Sequence, residues 1–469
     1  MARVGAARRG VGLALALAAL LVSGFAPSPS VAVDRRLNIV LILSDDQSPD
    51  SLPHDPPVMS YLQGRMADPA DHWTTFANAF LNTPLCCPSR ATIFTGLYSH
   101  HTGVRTNFDG GRLDESSTIA TWLHDAGYRT GLIGKYLNGY PFGSAPYVPP
   151  GWDRWLVKEQ GGQGSLYYDY VLFDQEYPVF HGTGAQNYST DVYSAAAVDF
   201  IQSAPAEQPF FLEVAPSGPH RPWTPAPRDA GAAASMPIAQ PPSLNEADVS
   251  DKPAWIRAVP SLDPEQLALV EAQHRRAFET LRSIDDLVAS VVGALTQKGV
   301  LDRTVIFYLT DNGLSFGEHR WVGKTCPYEE CVRTPFAVRA PWAPGARVDA
   351  HLISNVDLAP TIADLAGVAL PTPVDGRSLV PLLRGPPSAG WPTGVLLEYE
   401  GDLRVPAWWG LRTDRFVYVE YATGERELYD LSGALGPADP FELDNRAAEP
   451  AYAEVVAHLA GRLNALRAG

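Results

Sequence analysis

The chain has 469 residues, with 52 acidic against 36 basic side chains, a formal net charge of −16 at pH 7 and 45% hydrophobic residues. That length can bury a large core, and the acidic excess argues against nucleic acid or an anionic membrane surface as a partner. Four cysteines are too few for a disulfide scaffold at this size, so the fold must rest on packing.

Residues 1–32 read as an export leader. Arg3, Arg8 and Arg9 precede the apolar run Val11–Val22, and Ser30-Val31-Ala32 suits a small-residue cleavage site. Losing three arginines and no acid would take the net charge from −16 to −19. The apolar run is too short to span a bilayer and no later stretch qualifies, which predicts a secreted or periplasmic protein without a membrane partner.

Residues 33–385 read as one large α/β domain. Four apolar, β-branched runs each lead into polar or Gly-rich sequence: Leu37–Leu43 into Asp45-Asp46, Tyr128–Ile133 into Gly134-Lys135, Phe210–Val214 into Ala215–His220, and Thr304–Leu309 into Asp311-Asn312. Continuous apolar runs are what strands look like when helices cover both faces of a sheet. Helical patterns lie between them: Ser117 is read as capping a stretch to Ala126, and Asp263-Pro264 opens an amphipathic stretch through Lys298. Strands alternating with helices predict a mostly parallel sheet, and in such sheets ligands bind beyond the carboxyl ends of the strands. Each polar cluster lies at such an end.

Pro225–Pro260 is rich in Pro and Ala and reads as a long surface loop. Gly385-Pro386-Pro387 marks a boundary, after which residues 386–469 read as a smaller α+β domain. Its predicted elements are short antiparallel strands at Gly394–Glu400, Trp408–Leu411, Phe416–Tyr421 and Glu427–Leu431, and a closing helix at Ala448–Ala468. Cys326 and Cys331 flank a short Pro-containing loop and could close a local bridge. Trp408-Trp409 could stack on sugar rings.

Asp45-Asp46 and Asp311-Asn312 offer only oxygen donors, which suit Ca²⁺ or Mg²⁺ rather than zinc. Alone, either pair reads as an ordinary Asx turn. Lysine is scarce, with five in the chain, yet Lys135 and Lys324 both follow a glycine in these polar segments. Cys86 opens a helical stretch with Arg90 four residues on, and that positive field is expected to lower the thiol pKa.

The run Cys86-Cys87-Pro88-Ser89-Arg90 resembles the signature of the type I sulfatases, within the alkaline-phosphatase-like superfamily. Ala91–Gly96 is similar to that family's continuation, and the similarity runs from about Asn38 to Asn445. The resemblance implies an alkaline-phosphatase-like fold, with a large mostly parallel sheet flanked by helices and a smaller C-terminal antiparallel sheet plus helix. It makes residues 33–385 the catalytic sulfatase domain. It implies that Cys86 is oxidised by a formylglycine-generating enzyme to formylglycine, the nucleophile. Asp45, Asp46, Asp311, Asn312 and the modified Cys86 would hold a metal, Ca²⁺ in preference to Mg²⁺. Lys135, Lys324 and His220 would clamp the sulfate, Arg90 would hold the formylglycine in place, and His319 would be a further substrate contact. Many arylsulfatases carry a His where this chain has Leu137. The Lys135-Tyr136-Leu137-Asn138 form is instead similar to the N-acetylglucosamine-6-sulfatases and the extracellular heparan endosulfatases, with Asn138 as a hydrogen-bonding partner of the nucleophile. A sulfated small molecule or glycan is the implied substrate. Phosphodiester or phosphonate-ester hydrolysis on the same fold, and non-catalytic glycan binding, are the alternatives.

Overall fold

The run NIVLILS becomes strand β1 (Asn38–Ser44), every residue of it buried, at the heart of the computed structural model of this protein. The structure describes residues 1–2, 5, 36–143, 145–160, 165–385 and 390–468. The leader expected over residues 1–32 lies outside the described residues except at positions 1, 2 and 5, and Pro386 and Pro387 lie outside them too.

The main sheet contains β1, β2 (Trp73–Phe80), β3 (Arg129–Gly134), β4 (Arg154–Lys158), β5 (Tyr170–Asp174), β6 (Tyr177–His181), β7 (Phe210–Ala215) and β8 (Thr304–Thr310). A two-residue ribbon, β9 (Ser315–Phe316) with β10 (Val322–Gly323), follows β8, and the main sheet is completed by β11 (Ala337–Arg339) and β12 (Arg347–Ser354). The ten strands run in the order β12-β2-β11-β8-β1-β7-β3-β4-β5-β6. Five neighbours, β8-β1-β7-β3-β4, are mutually parallel, and the four strands foreseen from sequence all belong to this block. The sheet is mixed because β11 runs antiparallel between β8 and β2, and β4-β5-β6 form an antiparallel meander at the other edge.

Alternation along the central strands feeds two cores. Ile39, Leu41, Leu43, Phe211, Phe307 and Leu309 face a layer that includes the Cys86–Thr95 and Ile119–Asp125 helices. Val40, Ile42, Leu212, Val214 and Ile306 face Phe278, Leu281, Ile284 and Val288 of the long Pro264–Lys298 helix. That helix begins as its sequence dictates: the Asp263 side chain accepts from the Gln266 N–H at 2.9 Å and the Gln266 side chain answers at the Asp263 N–H. It ends at Gly299, whose φ of 74° is left-handed backbone. Thr118, not Ser117, caps the Ile119–Asp125 helix, through reciprocal bonds with Thr121.

Strands β13 (Val395–Tyr399), β14 (Trp408–Arg412), β15 (Phe416–Tyr421) and β16 (Arg426–Asp430) form an antiparallel sheet in sequence order. One face packs on the closing Ala453–Ala468 helix through Leu396, Tyr418, Leu428, Leu459 and Leu463. The other shares a core with Phe80, Trp255, Trp321 and Tyr328. The 225–260 segment is mostly loop, apart from the short Ala254–Arg257 helix, but it is not all surface. Val249, Lys252, Trp255 and Ile256 are buried, because this segment covers the inner face of the C-terminal sheet. Among the described residues no helix is long and apolar enough to cross a membrane.

An ionisable group without a hydrogen-bond partner sits inside the main core. Glu213, mid-strand in β7, is fully buried and neither carboxylate oxygen has a hydrogen-bond partner. Burial pushes its pKa up to about 8, against the pull of Arg90. The unfolded chain therefore releases this proton near the ordinary Glu value while the folded chain keeps it, so the group erodes stability as pH rises from there towards 8. Glu213→Gln should accordingly gain stability relative to the parent between pH 5 and pH 8, read as diverging urea-unfolding midpoints. Parallel midpoints across that range would contradict it.

Candidate active site

Four parallel strands deliver the polar residues to one edge, and backbone bonds tie their ends together. The Asp311 N–H donates to Ser44 O at 3.1 Å, Asp45 N–H to Gly218 O at 3.0 Å, and Lys135 N–H to Ala215 O at 2.8 Å. Successive strand residues point to opposite faces, yet Asp45 and Asp46 both serve the site. Asp46 has φ 61°, a left-handed turn that ends the alternation at β1.

Each carboxylate has its own base. Lys135 Nζ lies 2.7 Å from Asp45 Oδ2, Lys324 Nζ 2.7 Å from Asp46 Oδ1, and Arg90 Nε 2.8 Å from Asp311 Oδ2. Arg90 also donates to the Lys135 carbonyl at 2.9 Å, fixing the lysine's backbone. His220 Nε2 stands 3.4 Å from Asp46 Oδ2. Its Nδ1 is 2.7 Å from the Arg221 carbonyl, an acceptor only, so Nδ1 carries a proton. Cys86 is the first residue of its helix, and all ten residues of that helix are buried. Its Sγ lies 3.7 Å from Asp45 Oδ1, 3.9 Å from Asp46 Oδ1 and 2.8 Å from Lys324 Nζ.

Burial alone would raise the Asp45 carboxyl, but Lys135, His220 and Arg90 outweigh it and hold the group well below the usual carboxylate range. Asp46 is lowered too, burial being overcome by Lys324 and His220. Asp311 goes the other way, raised by burial and by the Asp45 charge despite Arg90. The expected lowering of the Cys86 thiol is not found. Burial pushes it up to about 11, more than Lys135 and Lys324 can offset, so the unmodified side chain is a poor thiolate.

Lys324 reaches the site from outside the parallel block, on the loop after β10. The Trp321 indole donates to the Lys324 carbonyl at 3.0 Å, and the Trp408 indole to the Thr325 carbonyl at 2.9 Å. The Cys326–Cys331 bridge, present as expected, closes the same loop. Trp408 is therefore fully buried and cannot stack on a sugar, while the Trp409 ring lies under the Arg467 guanidinium at 3.9 Å. His319 is also placed elsewhere. It is 1% exposed, its Nδ1 is 2.7 Å from Glu246 Oε2, and it belongs to a second cluster with Glu330 and Glu442.

A cavity of about 800 Å³ opens over Asp45, Lys135, Asn138 and His220. Asn138 has its Oδ1 buried without a partner, as Asn312 has in the carboxylate cluster. Sequence reasoning missed much of the wall. Leu269, Ala272, Gln273 and Arg276 line it at the i, i+3, i+4, i+7 positions of the long helix. That stripe could have been found as the helix face opposite Phe278, Leu281 and Ile284.

One donor atom each from Asp45, Asp46, Cys86 and Asp311 lie within 4.8 Å of one another. Three carboxylates with the unpartnered Asn312 oxygen are a hard donor set, which fits Ca²⁺ or Mg²⁺ and not a thiolate- or imidazole-seeking metal.

The family model described as Sulfatase matches residues 37–368, and that of the N-sulphoglucosamine sulphohydrolase C-terminal region matches residues 317–469. The chain is 34% identical over 387 residues to human N-acetylglucosamine-6-sulfatase, covering 79% of this chain and 68% of that one. It is also 34% identical over 395 residues to the Drosophila melanogaster extracellular sulfatase SULF-1 homolog, covering 80% of this chain but only 34% of that longer protein. A protein solved in complex with its substrate D-glucosamine-2-N,6-O-disulfate shares the fold, with TM-score 0.76 at 24% identity over 92% of this chain and 97% of that one. Sequence and site agree: the chain belongs to the sulfatase family, in the alkaline-phosphatase-like superfamily.

Proposed function

We propose that this chain is an exported, formylglycine-dependent sulfatase acting on a carbohydrate sulfate ester of the N-acetylglucosamine 6-sulfate class. The observation that carries the reading is the meeting of Cys86, Lys135, Lys324 and His220 at one buried, cation-rich spot. The named relatives support a glucosamine-type substrate and export.

The chemistry needs charge placed around a tetrahedral anion. Lys135 and Lys324 each have three N–H donors, so each can keep its carboxylate and still donate to a sulfate oxygen. His220, its Nδ1 proton held by the Arg221 carbonyl, presents Nε2 towards Asp46, and as imidazolium it would carry there a second proton to give to the departing alcohol oxygen. Lys324, whose Nζ is 2.8 Å from Cys86 Sγ, would be the second group able to supply that proton. Arg90 is fully buried and does not line the cavity. It is a positioning residue, orienting Asp311 and the Lys135 backbone. Asn138 can hydrogen-bond the nucleophile, but an amide cannot act as a general base.

Formylglycine, when present in hydrated form, supplies two hydroxyls on one carbon, one to attack and one to release product. A divalent cation, Ca²⁺ before Mg²⁺, would be held by Asp45, Asp46, Asp311, Asn312 and residue 86 and would supply Lewis-acid stabilisation of anionic oxygens.

Mass spectrometry of the natively produced protein should find aldehyde rather than thiol at residue 86 in the peptide across Thr83–Arg90. Unmodified cysteine in active protein would refute this mechanism. In a sulfate-release assay, Lys135→Ala and Lys324→Ala should each lower kcat by about 10²–10³, the scale of losing one preorganised charge donor. Parent rates in both variants, or faster hydrolysis of an aryl phosphodiester than of the aryl sulfate, would count against sulfate as the group transferred.

A further inference from the structure

Two arginines at the cavity mouth are not used by the chemistry above. Arg221 follows His220 in the turn after β7, and Arg276 lies on the long helix, on the stripe that faces the cavity. Both are exposed, and among the described residues neither side chain makes an ion pair or hydrogen bond. Their neighbours differ. Arg275 is engaged with the Met236 carbonyl and Glu271, and Arg228 with Asp191 and Asp286.

The local charge also inverts that of the whole molecule. The chain has 52 acids to 36 bases, yet among the described residues the only carboxylate lining this cavity is Asp45, already paired with Lys135. Lys135, His220, Arg221 and Arg276 face the same space. A concave surface with one sign of charge concentrates the opposite sign in its ligand. The scissile sulfate belongs at the buried end, beside Cys86 and Lys324, so the exposed arginines are left for something else. Trp223 and Leu269 supply apolar surface in the same cavity, suited to the C–H face of a sugar ring.

Resting on the sulfatase reading, we propose that Arg221 and Arg276 form a second anion subsite, so that the preferred substrate is a sugar carrying an anionic substituent besides the sulfate that is cleaved. A guanidinium offers a planar fork that matches a sulfate or carboxylate, and two isolated arginines fit one local anion rather than a polymer tract.

The test compares glucosamine sulfated at both N2 and O6 with N-acetylglucosamine 6-sulfate. It measures kcat/KM with the mature enzyme, and affinity by calorimetry with Cys86→Ala, which binds without turnover. A disaccharide carrying a neighbouring uronate places the second anion on the next ring instead. The doubly anionic ligands should be preferred by about tenfold, two exposed charge contacts at a few-fold each. Arg276→Gln, and Arg221→Gln with Arg276→Gln, should erase that preference, read within each variant as the ratio of doubly to singly anionic substrate so that any change in the monosulfate rate cancels. The larger of the two preferences locates the anion on the same ring or the next. No preference in the parent, or an undiminished one in the double variant, overturns the subsite. Charge-selective binding without hydrolysis of any sulfate ester would leave the subsite standing and remove the sulfatase reading. Hydrolysis without selectivity does the reverse.

Discussion

Three buried acids are each met by a close basic side chain at the carboxyl ends of the central strands, and the site depends on that pairing. Asp45 with Lys135, Asp46 with Lys324 and Asp311 with Arg90 are contacts of 2.7–2.8 Å, between buried side chains except for the half-buried Lys324. Taking such ions from water costs several kcal/mol each, and removing one partner strands the other, typically at about 3–5 kcal/mol. The arrangement is therefore expensive to build and fixed once built. It leaves the carboxylates neutralised by protein, so an added divalent cation makes the site net positive and ready for an anion.

The fold supplies each partner from a different place. The acids come from the ends of β1 and β8, Lys135 from β3, His220 from the turn after β7, and Arg90 from a helix whose every residue is buried. Lys324 alone depends on the C-terminal sheet, because Trp408 of β14 holds the carbonyl of the next residue. That contact explains how a region remote from the chemistry can govern it. A loose β14 would free the loop that carries Lys324, the partner of Asp46.

Four of the five strands in the parallel block were legible because they read as mostly apolar runs ending in polar residues, while the short β4, bounded by Arg154 and Lys158, gave no such run. Convergence of Asp45, Lys135, His220 and Asp311 followed from the rule for such sheets. Other features rest on tertiary contacts that leave little local trace. The antiparallel β11 is three residues long, and the left-handed Asp46 looks like any Asp in a turn. The Cys86 thiol is raised because burial outweighs a positive field that the sequence does suggest. Trp408 reads as a sugar platform until its burial is seen, and Arg276 as a solvated helix residue until the cavity is seen beside it.

These strand ends are expected to hold one hard divalent cation next to residue 86. Elemental analysis of the purified, fully matured chain tests it most directly. The account predicts about one calcium or magnesium per chain, retained through dialysis and lost in Asp45→Ala, as expected for an all-oxygen site of three carboxylates and an amide. Protein free of divalent metal that hydrolyses sulfate esters at full rate, indifferent to a chelator, would contradict it.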